Sequence, residues 1–151
     1  MAGRRAEGRE HPPGFAGHPA EGRWRSVWAS LIGRPLRLPD ALVAEFPELG
    51  GARWRVGGLP PRVGGWGLGA RTVAGITLWR TVWLAPETRL DPRLLLHELR
   101  HVQQFQASRL FPLLYLVDAI TRGYRRNRYE LDAEAYARAR LAGRHRPSQD
   151  V

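Results

Sequence analysis

The chain has no cysteine and no lysine, and its one methionine is the first residue. Without cysteine there is no disulfide, no thiolate metal site, no iron–sulfur cluster and no cysteine nucleophile. Any transition metal would have to be held by histidine and carboxylate. Without lysine, all 24 basic residues are arginine, which reads as a coding bias more than as a surface shaped for one partner. The net charge of +10 is read first as a solvated basic surface. Association with nucleic acid or an acidic membrane is weakly supported, because charge alone gives only non-specific attraction. Long apolar runs are missing too. The longest, Leu110 to Ile120, is interrupted by Pro112 and Asp118 and falls short of the roughly 20 residues of a membrane span. The first residues have no apolar core of a signal peptide, so a soluble, cytoplasmic protein is expected.

What is present suits one domain. The chain has 151 residues, 43% of them hydrophobic, enough for a single modest core. Residues 1–22 are rich in Gly, Pro, Arg, Glu and His without periodicity and read as a disordered basic tail; residues 145–151 read the same way. The domain is expected over 23–144, with no internal repeat. Apolar residues at 24, 27, 28 and 31 have helical spacing, and a short helix capped by Asp40 is expected up to Phe46. Arg53 to Val56 alternates, and Thr72 to Ala85 is dense in β-branched and aromatic residues, predicting one long strand or two bent at Gly75. Asp91 and Pro92 mark the start of a helix running to about Ser108. Leu110 to Thr121 reads as a buried helix ending at Gly123. Asn127 should cap a last helix over 128–141, which Gly143 ends. The order predicts an α+β domain with segregated elements.

The chemistry centres on His97-Glu98-Leu99-Arg100-His101. Residues four apart share one face of a helix, so His97 and His101 can present two imidazoles to one ion. Glu98, one step around, can reach an attacking water as general base. The apolar Leu94, Leu95, Leu96, Val102 and Phe105 place this helix in a core rather than on a solvated surface. A catalytic zinc needs a third protein ligand and an open position. Glu130 and Glu134, one turn apart in Tyr129-Glu130-Leu131-Asp132-Ala133-Glu134-Ala135-Tyr136-Ala137, are the candidates. Glu130 also fits a capping box with Asn127, in which case Glu134 would be the substitute ligand. Asp132 is expected on another face, solvated, and Arg100 away from the ligand side, paired with an exposed acid. Among Tyr115, Tyr124, Tyr129 and Tyr136, Tyr124 is the preferred donor to an oxyanion. His11, His18 and His145 lie in the tails and read as solvated. The segment with Trp79 and Trp83 could supply an edge strand for an extended peptide.

Two histidines followed by a glutamate resemble the gluzincins, zinc peptidases with that ligand set. HELRHVQQF resembles the core motif of the peptidase-like domain of extracellular contractile injection systems, one residue short in the Val/Gln run. YELDAEAYA is similar to the ExxAD segment of the CAAX prenyl protease and its heat-shock relatives, with Glu134 where that family has Asp. The resemblance, which extends to the small soluble minigluzincins, covers about residues 72–141. It implies a zincin-like fold: a small sheet packed on the HExxH helix, with a following Glu-bearing helix. It further implies zinc held by His97, His101 and Glu130, with Glu134 supporting a histidine and a peptide or protein as substrate. Two alternatives are a catalytically silent zinc-binding interaction or assembly module of the same fold, and a DNA-associated protease of the SprT type. The latter type usually carries Cys-based zinc elements, which are missing here.

Overall fold

The computed structural model describes residues 31–62 and 73–143. The tails and the helix expected from Trp24 lie outside these residues, apart from Leu31 and Ile32 of that helix, which are helical. The elements are β1 (Arg34–Pro35), α1 (Asp40–Glu45), a 3-10 turn (Pro47–Gly51), β2 (Arg53–Val56), β3 (Gly75–Leu78) and β4 (Thr81–Leu84). They continue with α2 (Pro92–Ala107), α3 (Phe111–Arg122), a 3-10 turn (Tyr124–Arg126) and α4 (Arg128–Ala142). This is an α+β arrangement. Among the described residues, no helix is long and apolar enough to cross a membrane.

The four strands form one mixed sheet in the order β1-β2-β4-β3. β2 and β4 are parallel, pairing Trp54 with Val82 and Val56 with Leu84, and the outer pairs are antiparallel. Val82 and Leu84, two residues apart, point to the same face and are fully buried. The expected bend at Gly75 is corrected: the chain reverses at Trp79-Arg80, since Leu78 pairs with Thr81 across a two-residue loop. Trp79 takes φ 57° at its first central position, a conformation such loops require and Gly usually supplies. Asp40 is corrected as well. It is the first residue of α1, where Pro39 stands at the cap, and its carboxylate accepts from Arg37 at 3.1 Å.

Helix α2 starts as the sequence predicts, with Arg93 N–H donating to the Asp91 side chain at 3.1 Å and Pro92 in the first turn. Leu95, Leu99 and Val102 form a stripe at helical spacing and enter the core with Leu96, Phe46, Leu49, Trp54, Val82 and Leu84. One side of α2 meets β3 and β4, and the other meets α4. α4 docks through Ala133 and Ala137, both fully buried. Small side chains let the two backbones approach closely, and Glu130 shares their face one turn earlier. Hence the residue opposite the histidines is set by where the alanines sit.

The start of α4 is heavily secured. Asn127, fully buried, accepts from Tyr129 N–H at 2.9 Å and donates to the Tyr115 carbonyl at 3.2 Å. Asp118 accepts from Arg128 N–H at 2.7 Å. Asn127→Ala removes a cap and the bond that ties it to α3, and should destabilise the fold by about 2 kcal/mol in urea denaturation.

Candidate metal centre

His97 and His101 sit one turn apart on α2 with Nε2 atoms 3.2 Å from each other. Glu130, arriving on antiparallel α4, closes the triangle. Its Oε2 lies 3.4 Å from His97 Nε2 and its Oε1 3.3 Å from His101 Nε2. All three side chains are largely buried. They are the single group of three or more potential ligands found together among the described residues. An ion with tetrahedral bonds of about 2.0–2.1 Å would hold its donors about 3.3–3.4 Å apart. The nitrogen–nitrogen edge and the two nitrogen–oxygen edges, which end on different oxygens of the Glu130 carboxylate, are each near that figure, so the residues can converge on such an ion.

The hydrogen bonds around the triangle orient its lone pairs inward. Gln104 Nε2 donates to Asp132 Oδ2 at 2.7 Å and to the Tyr129 carbonyl at 3.1 Å, which turns Gln104 Oε1 toward His101. His101 Nδ1–H therefore donates to that oxygen at 2.8 Å. In the neutral ring this leaves Nε2, facing Glu130 and His97, free to bind a metal ion, and in the protonated ring Nε2–H donates to Glu130. Tyr115 O–H donates to Glu130 Oε1 at 2.6 Å. Burial opposes charge on His101, yet Glu130 and Glu98 hold its pKa above the ordinary value. Burial would likewise raise Glu130, but hydrogen bonds from His101 and His97 hold its carboxyl well below the usual range. The site thus attracts positive charge, whether proton or metal ion.

Glu98 is buried beside the triangle and held from the sheet. Thr77 O–H donates to its Oε2 at 2.7 Å. Gly75 packs against the same carboxyl: a Cβ there would stand 2.7 Å from Oε1 and 2.9 Å from Cδ. Burial pushes the carboxyl above its ordinary pKa, against the pull of His101 and Thr77. Tyr124 lies in the turn before α4, and burial and the Glu130 carboxylate raise its phenol well above the ordinary value. It stays protonated and able to donate.

Glu130 is not the capping-box partner of Asn127, whose backbone N–H donates to the Tyr124 carbonyl at 3.1 Å. Glu134 supports neither histidine: its carboxylate accepts from Arg93 and from Arg138, the latter at 2.6 Å. Four residues beyond Glu130, it is turned about 40° around the helix and meets the first turn of α2. Gln104 and Asp132 take the supporting place, and Asp132, expected to be solvated, is held by Arg100 at 2.7 and 3.2 Å and by Gln104. Arg100 does pair with a half-exposed acid, this same Asp132. Gln104 was legible in principle, lying three residues after His101 on the same face. Trp83 is on inner strand β4, its indole donating to the Ile32 carbonyl, while β3 ends the sheet. The tail histidines His11, His18 and His145 lie outside the described residues.

No protein-family model matches the chain, and neither curated proteins nor solved structures yield a match.

Proposed function

We propose that the chain is a zinc-dependent metallopeptidase of gluzincin type with a zincin-like fold, acting on peptide or protein substrates. The observation that carries this reading is the convergence of His97, His101 and Glu130 on one point, with Glu98 buried beside it. A nitrogen-rich, thiolate-free set of three suits zinc with one open position. When bound, zinc would supply Lewis acidity and lower the pKa of a water at that position. Glu98 takes the proton of the attacking water and returns it to the leaving amine, a task that a carboxyl of raised pKa performs well near neutrality. Thr77 and Gly75 fix its direction. Tyr124 is the candidate donor to the oxyanion, although its phenol, like that of Tyr115, also hydrogen-bonds Glu130. The outer edge of β3 can pair with an extended substrate backbone.

Zinc-loaded protein offered a pool of unstructured peptides should cleave it, and both chelation and Glu98→Gln should stop cleavage. Equal, negligible turnover by wild type and Glu98→Gln, with zinc still bound, would favour a silent zinc-binding assembly module instead. The supporting shell is testable separately. Gln104→Ala should weaken zinc about 10–100-fold in a chelator competition, as loss of such partners does. Glu134→Gln should leave zinc affinity unchanged.

A further inference from the structure

The outer face of α3 is apolar and uncovered among the described residues. Leu113, Leu116, Val117 and Ile120 are 59, 55, 50 and 74% exposed, and Leu110 extends the stripe at 63%. These positions recur at intervals of three and four, so they form one ridge. The opposite face is engaged: Phe111 and Asp118 are buried and Tyr115 holds Glu130. At the β3–β4 turn, Trp79 is also exposed and stacks on Phe105, which meets Phe111 in the first turn of α3. Exposed arginines flank the ridge, Arg109 before it and Arg122, Arg125 and Arg126 after it. The one acid between residues 108 and 128, Asp118, is buried against Arg122 and Arg128.

We propose that α3 docks on an anionic lipid bilayer, lying in the headgroup region with its aliphatic ridge toward the acyl chains and its arginines on lipid phosphates. A 12-residue helix is about 18 Å long, too short to span, and therefore lies flat. A second copy of the chain is the poorer occupant. An antiparallel pairing of two α3 ridges would set the arginines at one end against those at the other, whereas anionic headgroups neutralise them. The ridge also lacks the aromatic anchors and hydrogen-bonding groups that mark protein interfaces. The docking does not depend on peptidase activity.

Sedimentation of the full chain with vesicles tests it. Vesicles of phosphatidylcholine with one third phosphatidylglycerol should bind at least tenfold more protein than phosphatidylcholine alone, less as salt rises. Leu116→Ser/Ile120→Ser, at exposed positions, should lower that binding at least tenfold with melting and zinc content unchanged. Arg125→Gln/Arg126→Gln should lower it severalfold. No binding to either vesicle overturns the proposal. So does binding that the Leu116/Ile120 pair leaves unchanged, which would be charge alone. Self-association abolished by that pair, without vesicle binding, would mark a protein interface instead.

Discussion

Glu130→Gln should weaken zinc binding by at least about a hundredfold, beyond what loss of a supporting partner costs. Glu130 brings a carboxylate into direct contact with two imidazoles whose Nε2 atoms are 3.2 Å apart. The neutral amide has nearly the same shape, so α4 can still dock through Ala133 and Ala137 and Tyr115 can still donate to an oxygen. What is lost is the charge that draws a cation against the cost of burial. His97→Ala should have a comparable effect by removing a nitrogen donor. The measurement is competition with a chromophoric chelator, with apo-protein melting as the control for folding. Tight, stoichiometric zinc surviving either change would sink the ligand assignment. Because zinc binds the folded state, chelation should also destabilise the wild type by about 2.7 kcal/mol when free zinc had stood at a hundred times Kd. The Glu130→Gln variant should lose most of that response.

Gly75→Ala should lower kcat/KM by about a hundredfold or more and leave zinc affinity unchanged. The new methyl would stand 2.7 Å from Glu98 Oε1, 2.9 Å from Cδ and 3.1 Å from Cγ, closer than carbon and carboxylate can pack. Glu98 could yield only by breaking its 2.7 Å bond from Thr77 within a buried site. A displacement of about 1 Å is enough to cost two orders of magnitude in a positioned reaction. Glu98→Gln sets the floor, since removal of a general base costs about 10²–10⁴-fold. Thr77→Val should fall between, and Thr77→Ser should restore most of the rate because it keeps the donor. A Gly75→Ala enzyme with wild-type turnover and bound zinc would contradict the role given to Glu98.

Local signals carried the sequence reading far at α2. Asp91, Pro92 and the leucine stripe act within a turn or two of themselves, so the start of the helix and the pairing of His97 with His101 were legible. Glu130 was legible as a candidate, and what decides between ligand and cap is how Ala133 and Ala137 seat α4 on α2. That same seating turns Glu134 toward Arg93 and brings Asp132 to Gln104, two outcomes of helix docking that no spacing within α4 encodes. The reversal at Trp79-Arg80 was missed because neither residue is the glycine or asparagine that normally signals such a loop. α3 shows a different limit. Its apolar composition reads as buried, but composition cannot tell whether a neighbouring element covers both faces.

The most direct test of the metal centre is anomalous X-ray diffraction from crystals of the zinc-loaded protein, recorded at the zinc edge. One peak is expected, within bonding distance of His97 Nε2, His101 Nε2 and a Glu130 carboxylate oxygen. A peak on His11, His18 or His145, or none between α2 and α4, would contradict it.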